Sequence, residues 1–273
     1  MKRNGFLFIF VFLWSSLVYA QCKNPVVLVH GNGVEPKDFN YLRDALINID
    51  YAENEIIMPS WGKKGLSGVH VNDHDGAELE SVTEGLLAAL ETSCSGKIDV
   101  VAHSMGNTIA GKAIIDAKLG QQVEHFISIS GGWRGVNGCA SWLGGDYFTP
   151  ACNKRTGLYP INGFKNSDHN HLLREIANST FAEKIYPIYS NYDEILCGSI
   201  LQFGFYAKKP RPDYCSPINS NEHTGLPLGG GDIAKPYILD SNEKMNRFLA
   251  TIHNDTPEDT LEYQLKILAN KIE

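Results

Sequence analysis

The sequence predicts an α/β fold, a mostly parallel sheet flanked by helices, and three observations predict it. Short, unbroken β-branched runs such as Val26-Val27-Leu28-Val29 have the look of strands buried on both faces. Segments with helical spacing of apolar residues separate these runs, and such alternation implies parallel strands joined by helical crossovers. The chain has 273 residues, 43% of them hydrophobic, enough for one sizeable core, and no linker-like tract divides it. Residues 21–273 therefore read as one domain.

Taken in order, the strand at Val26 ends at His30-Gly31. A helix is expected from Pro36 to Ile47, with Phe39, Leu42, Leu46 and Ile47 on one face. Glu55 to Met58 reads as a weaker strand ending at Pro59, and Leu79 to Leu90 as a helix. Ile98-Asp99-Val100-Val101 is the next buried strand. Thr108 to Leu119 follows as a helix rich in small residues and ended by Gly120. Phe126 to Ile129 and Lys184 to Tyr189 complete the strands read from the sequence. Residues 133–180 interrupt the rhythm as an aromatic insertion with Trp133, Trp142, Tyr147, Phe148, Tyr159 and Phe164. The apolar stretch 195–206 is the second interruption, and its position suits it to an acyl-binding wall. Met245, Phe248, Leu249 and Ile252 share a helical face. Thr256-Pro257-Glu258-Asp259 then opens a last helix, with Thr256 as cap and Pro257 at the first position.

The first twenty residues stand apart. Lys2 and Arg3, the apolar run Phe6 to Leu13 and the small-residue pattern Val18-Tyr19-Ala20 describe a signal peptide, residues 1–20. The apolar run is shorter than the ~20 residues of a spanning helix. Tyr19-Ala20-Gln21 is a poor lipoprotein cleavage site for modification of Cys22. A secreted protein, extracellular or periplasmic, is expected, with no integral membrane segment after cleavage. A formal charge of −7 without a basic cluster argues against a nucleic-acid partner. Six cysteines and no CxxC read as a disulfide framework. If the Val26 and Ile98 strands are parallel neighbours, Cys22 and Cys94 start side by side and pair. Proximity in sequence then pairs Cys139 with Cys152 and Cys197 with Cys215.

The chemistry is carried by Ala102-His103-Ser104-Met105-Gly106, set between a buried strand and a small-residue helix. A serine hydroxyl is a poor nucleophile until a base takes its proton, so it must stand on a sharp exposed turn. Ser104 is the candidate nucleophile, with Ala102 in place of the usual first glycine. The acid is expected after a later strand and the base after the acid. Asp193, in Asn191-Tyr192-Asp193-Glu194, is assigned the acid, with Glu194 as its rival. His223, in Glu222-His223-Thr224-Gly225, is assigned the base. The rival base is His253, which follows a helical face and reads as surface. His30 is given a structural role and His103 a packing one. Acyl transfer also needs N–H groups aimed at the developing oxyanion. The main chain of Met105 supplies one, and that of Asn32, in His30-Gly31-Asn32-Gly33, is assigned the other. Asp73-His74-Asp75 reads as an acidic surface loop rather than a metal site. No metal and no cofactor are required.

These segments, Asn24 to Gly31 and Val100 to Gly106, resemble the class 2 lipase family, which includes small secreted bacterial lipases. Tyr189 to Ile195 and His223 to Leu226 are similar to that family's acid and histidine segments. His30 to Gly33, Pro59-Ser60-Trp61-Gly62 and Asn72-Asp73-His74 also resemble extracellular polyhydroxyalkanoate depolymerases. The resemblance implies an α/β-hydrolase fold and a triacylglycerol lipase or carboxylesterase acting on an ester substrate, lipid or polyester. An amidase, an acyltransferase and a non-catalytic binding protein on the same fold are the alternatives.

Overall fold

The computed structural model describes residues 22–69, 71–136, 139, 152, 157–161, 170–197, 223–244, 251–270 and 272. The segment 1–20, the aromatics Trp142, Tyr147, Phe148 and Phe164, the stretch 200–206, Cys215, and the apolar face at Met245, Phe248 and Leu249 lie outside these residues.

Seven strands form one sheet: β1 (Val26–Val29), β2 (Ile56–Ile57), β3 (Ile98–His103), β4 (Val123–Ile129), β5 (Lys184–Ser190), β6 (Asp232–Ile233) and β7 (Tyr237–Leu239). Their order is β2-β1-β3-β4-β5-β6, with β7 also on β5, and every pairing is parallel. The sequence reading stopped at β5. β6 pairs with Lys184 and Ile185, and β7 with Ile188 to Ser190, so two very short strands share one edge of β5. β6 and β7, two and three residues long and mostly exposed, carry too little apolar pattern to be read from sequence.

Burial on both faces follows from the alternation of side chains along each strand. Val27, Val29, Val100 and Phe126 face one layer of helices, α3 (Gly76–Thr92), α4 (Met105–Asp116) and α5 (His171–Ala177), through Leu86, Ile109 and Ile176. Val26, Leu28, Val101 and Ile127 face the other, α1 (Asn40–Asn48) and α7 (Leu261–Leu268), through Leu42, Leu46 and Ile267. Trp133 belongs to the first layer, stacked on Phe181 and packed against Gly111. It is therefore part of the core.

Two boundaries differ from expectation. α4 begins at Met105, directly after Ser104, not at Thr108. Pro257 does not open a helix but lies inside α6 (Thr251–Asp259), where Thr256 Oγ1 donates to the carbonyl of Ile252. A proline there removes the N–H that would bond the carbonyl four residues earlier, that of His253. Cys22 is joined to Cys94, beside the β1–β3 pairing, and Cys139 to Cys152. Cys197 is also disulfide-bonded.

Candidate active site

Ser104 sits between β3 and α4 at φ 54°, ψ −131°, a left-handed conformation that an L-residue adopts only under constraint. The constraint is visible. Its N–H donates to the carbonyl of Ile129 (2.9 Å), and Asn107 Nδ2 donates to the carbonyls of Ser104 (3.0 Å) and Ile129 (2.9 Å). Gly106 lets α4 press onto the end of β1, since an added Cβ would overlap the main-chain oxygens of Val29 and His30. Ala102 is fully buried in register with Val29 and Ser128, a slot for a small side chain.

The imidazole at Ser104 is that of His253. His253 Nε2 lies 2.9 Å from Ser104 Oγ, and Nδ1 lies 2.8 Å from Asp193 Oδ2. A carboxylate at Nδ1 keeps the proton there and leaves Nε2 free to accept from the serine. Asp193 is fully buried, and its other oxygen accepts from the N–H groups of Ile195 (3.0 Å) and Leu196 (2.8 Å). Burial alone would raise its pKa; the His253 imidazole and the amide donors reverse this and hold it below the usual carboxylate range.

The structure does not bring His223, assigned from sequence as the base, to Ser104. His223 Nε2 donates to the carbonyl of Ser190 (2.9 Å) and its Nδ1 accepts from the N–H of Gly225 (2.8 Å). Both ring nitrogens are thus engaged away from Ser104, and the ring stacks on Tyr189 at 3.8 Å. Burial pushes this imidazole down to about 4, so it stays neutral and braces the turn that carries Asp193. His253, taken from sequence as surface, is 3% exposed. The signal that sequence reasoning missed was β7, the last strand of the sheet: His253, the imidazole at Ser104, is the first histidine after Leu239.

His253 is fixed at three further points. Glu194, the rival acid, accepts from the N–H groups of Ile252 (3.2 Å) and His253 (3.1 Å). His103 Nε2 donates to the His253 carbonyl (3.0 Å), the group that Pro257 leaves without a helical donor. Burial pushes the His103 imidazole down to about 3, so this bond persists at any ordinary pH.

The loop after β1 passes against the nucleophile. A Cβ on Gly31 would lie 3.1 Å from Ser104 Cβ, which puts the Asn32 segment beside the serine. His30 frames it: the ring stacks on Trp61, Nε2 accepts from Lys64 Nζ (2.9 Å), and Trp61 Nε1 donates to the His30 carbonyl (2.9 Å). His74, read as part of an acidic surface loop, is instead 1% exposed. Among the described residues no cluster of His, Cys, Asp and Glu could hold a metal ion, and no helix is long and apolar enough to cross a membrane.

The chain resembles an esterase of Pyrococcus furiosus at a TM-score of 0.50 and 12% identity, covering 93% of this chain and 83% of that one. It also resembles a Paleococcus ferrophilus monoacylglycerol lipase (TM-score 0.48, 13% identity, 90% of this chain and 94% of that one). Against Aspergillus fumigatus lipase B the values are 0.47 and 18%, over 79% of this chain and 44% of that one, less than half its length. At such identities the likeness concerns the fold, that of the α/β-hydrolases. No curated protein matches the sequence. The class 2 lipase family matches residues 23–208, a span that contains Ser104 and Asp193 and stops short of His253. That match covers most of the sequence, and the chain belongs to the class 2 lipase family of carboxylic ester hydrolases.

Proposed function

We propose that the protein hydrolyses carboxylic esters by an acyl-enzyme route with Ser104 as nucleophile, His253 as base and Asp193 as its orienting acid. The observation that carries this reading is the continuous chain of two short contacts, 2.9 Å from Ser104 Oγ to His253 Nε2 and 2.8 Å from His253 Nδ1 to Asp193. Ser104 Oγ attacks the ester carbonyl carbon as His253 Nε2 takes its proton. The negative charge on the carbonyl oxygen is met by the main-chain N–H groups of Met105 and Asn32. His253 then returns the proton to the departing alkoxide, leaving an acyl-serine. Water enters, loses a proton to His253 and releases the carboxylic acid. No step requires a cofactor.

The proposed protein is exported after removal of residues 1–20, and residues 21–273 form one catalytic domain. Its disulfides suit an oxidising compartment. Lipid esters are the first substrate class. A polyester is the second, favoured because the three depolymerase-like motifs converge on one loop, through the His30–Trp61 stack and the Asn72–Asn32 contact.

The test is hydrolysis of esters of graded chain length, and of suspended poly(3-hydroxybutyrate), by wild type, Ser104→Ala, His253→Gln and His223→Gln. The first two variants are expected to lose roughly 10⁴-fold or more in kcat. His223→Gln is expected to keep kcat within about tenfold, as its ring supports the Ser190 turn through one hydrogen bond. Retained turnover in His253→Gln beside an inactive, folded His223→Gln would restore the opposite assignment. Turnover of the polymer with none of the soluble esters would select the second substrate class.

A further inference from the structure

Between α2 (Gly65–Val69) and α3, two side chains two positions apart, Asn72 and His74, are buried and point to different parts of the site. Asn72 is fully buried. Its Nδ2 donates to Asn32 Oδ1 (2.7 Å) and to the carbonyl of Lys63 (2.9 Å), while its Oδ1 accepts from the N–H of Lys63 (2.7 Å). The chain closes around this amide at Gly62, whose φ of 62° suits glycine and whose added Cβ would lie 2.8 Å from the Asn72 amide. His74 Nε2 lies 2.7 Å from Thr108 Oγ1, and that hydroxyl donates to the carbonyl of Met105 (3.0 Å). Thr108 has one proton to give and gives it to Met105, so it accepts from His74 Nε2–H.

We infer that Asn72 and His74 are positioning residues, a short strut that holds the loop of Asn32 and the first turn of α4 at a fixed separation. This deepens the proposed function, since it rests on the main-chain N–H groups of Asn32 and Met105 being the oxyanion donors. The physical need is plain. Asn32 lies between Gly31 and Gly33, so little in its own segment fixes where its amide points. Two donors converge on one oxygen only if both are held before the charge develops, and a displacement of about 1 Å costs much of the benefit. Asn32 Oδ1 gripped by Asn72, with Asn32 Nδ2 on the carbonyl of Val69 (3.3 Å), anchors one donor. The chain from His74 through Thr108 to the Met105 carbonyl anchors the other. Asp73 Oδ1 accepts the His74 N–H (2.8 Å) and Asp75 caps α3 by accepting from Gly76 N–H, so the strut is itself stiff.

The test compares Asn72→Asp, Asn32→Ala, His74→Leu and His74→Gln with wild type and Ser104→Ala, below the melting temperature of every variant. Asn72→Asp keeps the shape but loses the donor to Asn32. Asn32→Ala breaks the same contact from the loop side and keeps the main-chain N–H, so it reports even if Asn72→Asp does not fold. Each is expected to lower kcat by roughly 10- to 100-fold with KM within threefold, a part of what losing a donor outright costs. Inhibition by a trifluoromethyl ketone, which forms an oxyanion on the serine, is expected to weaken by the same factor. His74→Leu is expected to behave likewise, and His74→Gln, which keeps a donor near Nε2, to recover most of kcat. Variants that melt earlier but retain wild-type kcat and ketone affinity would overturn the strut while an inactive Ser104→Ala leaves the proposed function standing. An active Ser104→Ala would remove both.

Discussion

Acidification should unfold this protein over a narrow window, for a reason internal to its active-site surroundings. His30, His74 and His223 are pushed down to about 4 and His103 to about 3, in each case chiefly by burial. In the unfolded chain the same imidazoles titrate near the ordinary value of 6.5. A histidine whose folded pKa is depressed contributes stability in full above the unfolded pKa. That contribution disappears as pH falls from 6.5 toward the folded value, because the unfolded chain takes up protons that the fold refuses. At pH 5 the unfolded state binds roughly 3.6 more protons at these four sites, a slope of about 5 kcal/mol per pH unit. Integrated from pH 7 to pH 5, the loss is of order 7 kcal/mol, comparable to the whole stability of an ordinary domain. His125 opposes the trend: burial lowers its pKa, but Asp99 more than reverses this and the net shift is upward. Its contribution is full below the unfolded pKa and is lost as pH rises through the folded one, so it acts above the window in which the four rings lose theirs. The assay is urea unfolding followed by tryptophan fluorescence at pH 8, 7, 6 and 5. The midpoint is expected to be flat from pH 8 to 7 and to collapse between 6.5 and 5. A stability that changes by less than about 2 kcal/mol from pH 7 to 5 would refute the claim that these rings are held neutral.

Two further outcomes follow from contacts described above. His103→Phe leaves the buried His253 carbonyl without a donor and is expected to cost about 1–3 kcal/mol. Adding Pro257→Ala supplies a main-chain N–H to that carbonyl, so the double variant should melt above the single one. A double variant no more stable than His103→Phe would show that the carbonyl was not the issue. Replacing Cys22 and Cys94 by serine removes a cross-link spanning 72 residues and is expected to lower stability by about 4 kcal/mol, read as the urea midpoint under oxidising conditions. An unchanged midpoint would contradict it.

The sheet was legible where strands are buried on both faces, since the runs Val26–Val29, Val100–Ala102 and Ile185–Tyr189 are apolar throughout and sit between two helix layers. The turn at Ser104 was legible for a related reason: close approach of β1, β3 and α4 demands small residues at 102 and 106. The partner of Ser104 was not. β6 and β7 are too short for a pattern, and without them His223 looked like the first histidine after the sheet. A helix face judged by periodicity alone also hid His253, a polar group that is buried because Asp193, Glu194 and His103 satisfy it. Pro257 misled for a similar reason. Proline normally marks the start of a helix, and it is tolerated inside α6 where the carbonyl it abandons is taken by the side chain of His103, the last residue of β3.

The residues that grip His253 are sequence neighbours of the two groups it must serve: His103 precedes Ser104, and Glu194 follows Asp193. A displacement of β3 or of the turn after β5 therefore drags α6 along with it. Relative errors between hydroxyl, imidazole and carboxylate cancel to first order, as in an instrument whose mirrors share one mount. Breathing of the sheet is thereby converted into common-mode movement, which leaves the alignment of the three groups unchanged.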